Sequence, residues 1–201
     1  ITRDILNVLQ IPNAVLSADT AEEEIKKIFK EAGQALSEHK QYAVIVKRDA
    51  LTSDMGNSYQ NAFTLCREEA VSAIIKSVSA EDVIVSTTGK ISREVYEQCD
   101  KIVGHHRQAF LTVGGMGHAG MIAFGIAQQR KDRQVYCIEG DGAVLMHMGE
   151  LVFLGKQQPE NFIHICLNND AHESVGGMPT GVAGQNFFEI ARACGYPYAA
   201  C

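Results

Sequence analysis

The chain has 201 residues, 46% of them hydrophobic and 21% charged, and a formal net charge of −6. That length suits one or two small domains with a real core, and an acidic balance without a basic block gives no footing for nucleic acid or an anionic membrane. No apolar run nears the ~18 residues of a membrane-spanning helix. None of the six cysteines sits in a C-x-x-C pair, so reduced thiols and a cytoplasmic location are expected.

Residues 1–9 read as a short amphipathic helix, and Ile11-Pro12 opens a loop. Asp19 or Thr20 is placed to cap a helix whose first turn carries Glu22, Glu23 and Glu24, favourable at the positive end of the helix dipole. Ile25, Ile28, Phe29, Ala32 and Leu36 give that helix one apolar stripe. Residues 42–46 read as a buried strand. Over 48–61 the pattern is lost in the turn-rich Thr52-Ser53-Asp54-Met55-Gly56-Asn57-Ser58; a domain boundary is expected there, with 48–65 as linker. Beyond it come a helix at 67–78, a strand at 82–86 ending in Thr87-Thr88-Gly89-Lys90, and a helix at 92–98. A short strand at 110–113 runs into Gly114-Gly115-Met116-Gly117-His118-Ala119-Gly120, followed by an apolar helix at 121–129. Strands at 134–138 and 162–167 flank a helix-length apolar segment at 144–156, and a helix at 187–193 is stopped by Gly195. Strands alternating with helices predict a three-layer α/β/α fold with a mostly parallel sheet. The chain opens without Met in helical periodicity and stops at Tyr198-Ala199-Ala200-Cys201, where another strand is expected to begin. A fragment of a longer polypeptide is therefore expected, with a site only half present.

Two turns carry the chemistry. Gly140-Asp141-Gly142 follows one buried strand, and Asn168-Asn169-Asp170-Ala171 follows the next, so both fall at the carboxyl edge of one sheet, where open α/β folds bind ligands. Glycine on both flanks lets the backbone bend and approach an anion, and the amides of Gly142 and Ala143 open a helix and can bind a phosphate. Asp141 would repel that phosphate unless a cation lay between them, which implies Mg²⁺. The Asn169 side chain and the Ala171 carbonyl offer two further hard oxygens across the adjacent strand. Read alone, the first turn is an ordinary N-capped helix start and the second an Asx-turn. Together, 25 residues apart (143–167), they fit a metal–diphosphate anchor.

Gly-Asp-Gly, about 25 residues, then Asn-Asn resembles the signature of thiamine-diphosphate-dependent enzymes, and the resemblance covers roughly residues 66–201. It implies the thiamine-diphosphate-binding fold, with Mg²⁺ on Asp141, Asn169 and the Ala171 carbonyl and the diphosphate on Gly140, Gly142 and Ala143. Thr88, Gly89 and Lys90 would contact the cofactor again. The Gly114 carbonyl would accept from the pyrimidine amine, and Met116 would wedge between the two rings. Within that family, Gly-Asp-Gly-Ala-x-Leu-Met-His-Met-Gly at 140–149 and Ala-His-Glu-Ser-Val-Gly-Gly-Met-Pro-Thr at 171–180 are similar to the phosphonopyruvate decarboxylases. So are Thr-Thr-Gly-Lys-x-Ser-Arg-Glu at 87–94 and residues 113–119. Met178, where Gln is usual, and Asp170, where Gly is usual, depart from the pattern. Residues 1–47 resemble the tail of a pyrimidine-binding domain, without the glutamate that activates the cofactor.

The activity implied is decarboxylation of 3-phosphonopyruvate to phosphonoacetaldehyde, by an oligomer of at least two chains. The fragment, lacking a pyrimidine-binding domain of its own or a second chain, is expected to be inactive alone. Other 2-oxoacids, such as sulfopyruvate or a benzoylformate-like acid, and a non-catalytic diphosphate-binding module are the alternatives. His118, His172 and Ser174 are the candidates for the substrate side. His172-Glu173 is not a helical zinc motif, because the second His it needs is replaced by Gly177. His105, His106 and His147 are expected to be structural. Lys90 and Arg93 suit either a phosphonate or a solvated helix start. Gly114, Gly115, Gly117 and Gly120 do not form a G-x-G-x-x-G after a strand, so no nicotinamide site is expected.

Overall fold

The computed structural model describes residues 1–52, 62–182 and 184–201, in two units, 1–56 and 57–201. The middle of the expected linker lies outside the described residues. In the first unit, helix α1 (Thr2–Val8) leads to strand β1 (Asn13–Leu16), helix α2 (Glu22–Ser37) and strand β2 (Ala43–Val46). The two strands pair in parallel, from Asn13 opposite Ala43 to Leu16 opposite Val46. Strand β1 replaces part of the expected loop: four residues after a proline are too few to show an alternation. Neither Asp19 nor Thr20 caps α2, whose N-cap is Ala21; the Thr20 hydroxyl instead accepts from the Ser17 amide at 2.8 Å. Of the apolar stripe on α2, Ile28 is buried, whereas Phe29 and Leu36 are exposed.

The second unit holds a four-stranded, all-parallel sheet: β3 (Val83–Ser86), β4 (Ala109–Leu111), β5 (Val135–Gly140) and β6 (Phe162–Leu167), in the order β4-β3-β5-β6. Helices α3 (Arg67–Ser77) and α4 (Lys90–Ile102) cover one face, where Val71, Ile75, Ile84, Ile91, Val95 and Ile138 form a buried cluster. Helix α5 (Ala119–Gln129) covers the other through Ala119, Ala123 and Ala127 against Val85, Val135 and Cys137. The three layers agree with the sequence reading. Pairing runs from Val135 opposite Phe162 to Gly140 opposite Leu167, so the two site turns leave adjacent strands at the same level. Strand β6 is half-buried rather than buried, because it lies at the sheet edge.

The segment expected as one helix between β5 and β6 is two, α6 (Asp141–Met146) and α7 (Gly149–Gln157). His147 leaves the helical region (φ −131°, ψ 41°), and Gly149, a poor helix-interior residue, restarts the next turn. After β6, strands β7 (Ala171–His172) and β8 (Met178–Pro179) make a short antiparallel hairpin around a 3-10 turn, Glu173–Val175. Helix α8 (Phe187–Ala193) is N-capped by Asn186, whose side chain accepts from the Phe188 and Glu189 amides. It docks on α7, where Gly155 lies against Cys194 and Gly195 with no room for a side chain. The expected strand start at Tyr198 is absent: 198–201 are irregular.

Candidate functional site

From β3 the chain crosses through α4 to β4 on one side, then through α5 to β5 on the other. The carboxyl ends of β3 and β5 therefore flank a topological switch point, the place where such sheets open a crevice. At the end of β3, the Thr87 amide donates to the Ile138 carbonyl at 2.9 Å, joining the two ends. Gly89 follows with φ 94° and ψ −140°, a conformation reserved for glycine, and Lys90 opens α4.

At the end of β5, Asp141, Gly142 and Ala143 are buried in the first turn of α6, whose amides have no acceptor within the helix. A Cβ on Gly142 would meet His172 Cε1 at 2.8 Å and the Met116 methyl at 3.3 Å. Three residues singled out in the sequence, from three separate segments, thus converge on one backbone point. The Asp141 carboxylate is 3% exposed and accepts a hydrogen bond from the Thr180 hydroxyl at 2.6 Å.

Beyond β6 the backbone makes two successive Asx-turns: Asn168 Oδ1 accepts from the Asp170 amide at 3.0 Å, and Asn169 Oδ1 from the Ala171 amide at 3.2 Å. The Asx reading is thus realised. Asp170 adopts φ 56°, which explains why glycine suits that position. Its Oδ1 is buried with no hydrogen-bond partner among the described residues, while its carbonyl accepts from the Thr180 amide at 2.8 Å. A buried carboxylate at Asp141, an orphaned oxygen at Asp170 and a side-chain-free approach at Gly142 make a donor set that fits a hard cation bridging to an anion.

The loop over this point is held electrostatically. Glu173 accepts from Lys90 Nζ at 2.7 Å and also from Arg67, whose guanidinium makes two further bonds to Glu94, at 2.7 and 2.5 Å. Lys90 and Arg67 hold the Glu173 carboxyl below its ordinary range, and Glu94 foremost raises the Arg67 guanidinium. Lys90, whose side chain is 41% exposed, is therefore paired with Glu173 across the loop. Burial, aided by the Asp141 and Glu139 carboxylates, pushes the Cys166 thiol up to about 12, so it stays a protonated core side chain.

His118 stacks on His147 with ring centroids 4.1 Å apart, and His147 also fills the space where Gly117 has no side chain. Both line an open cavity of about 500 Å³ with Met121, Met146 and Phe153. Asp141, Gly142 and Ala143 are not among its lining residues, so the cavity lies beside the turn rather than over it. Gly114 and Ser174 are exposed. His147 thus has a packing partner in His118 that no sequence signal revealed. His106 pairs with Asp100 at 2.8 Å, away from the site. Thr180 and the Arg67–Glu94–Glu173 network also escaped the sequence reading, because both join segments far apart in the chain.

Residues 87–201, more than half of the chain, match the family model "Thiamine pyrophosphate enzyme, C-terminal TPP binding domain". The chain belongs to the thiamine pyrophosphate enzymes. The matched span of this family begins at the end of β3 and takes in every residue of the cradle described above. Over 130 residues, 65% of this chain, it is 37% identical to the phosphonopyruvate decarboxylase of Streptomyces viridochromogenes, of which it covers 31%. It is 34% identical over 130 residues to the sulfopyruvate decarboxylase subunit beta of Methanocaldococcus jannaschii, covering 64% of this chain and 66% of that one. The thiamin diphosphate-dependent enzyme of Mycobacterium smegmatis superposes with a TM-score of 0.53 at 16% identity, over 74% of this chain and 29% of the other. That likeness shows the fold. The chain spans about a third of the length of the Streptomyces relative.

Proposed function

We propose that residues 66–201 are the diphosphate-binding half of a thiamine-diphosphate- and Mg²⁺-dependent decarboxylase acting on a small anionic 2-oxoacid, 3-phosphonopyruvate foremost. Residues 1–47 would be the tail of a pyrimidine-binding domain, joined through 48–65. The observation that carries this reading is the meeting of Met116 and His172 on Gly142, directly beside the buried Asp141 carboxylate. Asp141, the Asn169 side chain and the Ala171 carbonyl would hold Mg²⁺, and the amides of Gly142 and Ala143 the diphosphate. Bound thiamine diphosphate supplies a nucleophilic carbon and an electron sink. This chain's residues bind, orient and shield: Thr180 fixes the Asp141 carboxylate, Met116 supports the ring system, and the Glu173 clamp keeps His172 over the cradle. His118, His172 and Ser174 are assigned to the substrate side.

The 37% identity to a phosphonopyruvate decarboxylase supports the phosphonate substrate. Sulfopyruvate is the second reading, favoured by the larger share of the Methanocaldococcus relative that is covered. That relative is named as a beta subunit, which supports completion of the site by a pyrimidine-binding domain of the same or a second chain, in a homo-oligomer or a mixed assembly. Calorimetric titration of thiamine diphosphate, with and without Mg²⁺, tests the anchor: Mg²⁺-dependent binding is expected, and its loss in Asp141→Asn. Binding that Asp141→Asn leaves unchanged would overturn the assignment. Turnover of phosphonopyruvate, sulfopyruvate and pyruvate by the protein joined to its pyrimidine-binding domain ranks the substrates; no turnover is expected from this chain alone.

A further inference from the structure

The face of the sheet under α5 and α7 contains a polar cluster that the cofactor site does not use. Cys137 and Glu139 alternate onto that face of β5, and His164 stands directly opposite Cys137 on β6. One ligand atom from each of the three lies within 4.8 Å of the other two. Cys137 and Glu139 are fully buried, and the His164 side chain is 6% exposed. Glu150, from α7, is buried beside this group, its carboxylate set against Gly120, where only the absence of a Cβ leaves room for it.

The hydrogen bonds made here leave most of the oxygens unsatisfied. His164 Nε2 meets Glu139 Oε2 at 3.0 Å, and His164 Nδ1 meets the Tyr196 hydroxyl at 2.9 Å. The second Glu139 oxygen and both Glu150 oxygens are buried with no partner among the described residues. Two carboxyl groups side by side, with no cation on them, are costly in a low-dielectric interior.

We propose that Cys137, Glu139 and His164, with Glu150 as fourth donor, form a structural site for a borderline-soft divalent metal ion of the Zn²⁺ type, separate from the Mg²⁺ anchor. Thiolate, imidazole and carboxylate together select zinc-like ions over magnesium. Tetrahedral ligands on such an ion stand about 3.3–3.8 Å apart, so the three-residue cluster needs only a small contraction, and Glu150 joins it by turning its carboxylate inward. Tyr196 supplies the orienting partner that ligating histidines use: Nε2 gives its lone pair to the ion, and Nδ1–H donates to the tyrosine oxygen. On binding, the Cys137 thiol proton and the Glu150 carboxyl proton pass to solvent, and the ion offsets two of the three negative charges of the thiolate and the two carboxylates. Its role would be to tie β5, β6 and α7 together beneath the Gly140 turn.

This inference does not depend on the decarboxylase reading, and its test uses Co²⁺ as the probe. The chain is refolded with excess Co²⁺, freed of loose ion, and examined for metal content and absorption, with circular dichroism to verify folding. One Co²⁺ per chain with a thiolate-to-cobalt charge-transfer band is expected, unchanged in Asp141→Asn. Cys137→Ser should lose the band, and Tyr196→Phe should weaken binding by about 10–100-fold. Folded wild-type protein that takes up neither Co²⁺ nor Zn²⁺ would overturn the proposal and leave the cluster as a proton-sharing network. A band that survives in folded Cys137→Ser, or moves with Asp141→Asn, would overturn it equally. If Cys137→Ser does not fold, the wild-type and Tyr196→Phe titrations still decide.

Discussion

The two faces of β5 are built on different principles. Tyr136, Ile138 and Gly140 turn towards α4, where Ile138 packs with Ile84, Val95 and Val71 in an apolar cluster. Val135, Cys137 and Glu139 turn towards α5, whose fully buried residues here are Ala119, Ala123 and Ala127, flanked by the partly buried Ile122 and Ile126, and the carboxyl end of the strand carries buried acids. Large β-branched side chains hold the first face by volume. Small ones on the second let α5 lie close, which brings its leading Gly117-His118 segment against the start of α6. One face stabilises the sheet, and the other delivers chemistry to its edge.

Substitutions sharpen that contrast, beginning with the apolar face. Ile84→Ala should cost about 2–5 kcal/mol in urea melts, because a fully buried side chain leaves a cavity between two helices and the sheet. Thr180→Val, near the site turn, should cost about 1.5–3 kcal/mol, the range for a buried hydrogen bond to a charged group, and should weaken Mg²⁺-dependent cofactor binding in the same titration. Gly142→Ala should be milder for folding, about 1–3 kcal/mol of overpacking. Yet it should lower diphosphate affinity at least tenfold, about 1.4 kcal/mol, because the new methyl displaces His172 and Met116. Equal affinity in Gly142→Ala and wild type would break the link between the cradle and the cofactor. Glu173→Gln should cost no more than about 1 kcal/mol, since its side chain is 43% exposed and solvent screens the pair. Its signature should be faster amide hydrogen exchange over 172–177 with the sheet unchanged.

The site was legible where the chemistry is local. Gly140-Asp141-Gly142, the Asn168-Asn169 pair and the interval between them lie within one strand–helix–strand unit, so spacing alone brought both turns to one edge. Met116 and His172 entered through family resemblance, and the structure places them on Gly142. What stayed hidden joins distant segments: Arg67 with Glu173, Thr180 with Asp141, His147 with His118. Strand β1 and the break between α6 and α7 were hidden for another reason. Four residues carry no measurable period, and an apolar run through Met146, His147 and Met148 reads as continuous helix until the ring of His147 is given a partner.

The sequence by itself determined the alternation of strands and helices, the position of the switch-point turns and the hard-oxygen character of Asp141 and Asn169, because these depend on short-range periodicity and residue type. Tertiary structure alone decided which face of β5 is apolar, that Glu139, His164 and Cys137 share one buried space with Glu150 beside it, and that Lys90 is paired with Glu173. Those facts follow from strand register and helix docking. Such contacts are set by the packing of the whole sheet, which no local stretch of residues encodes.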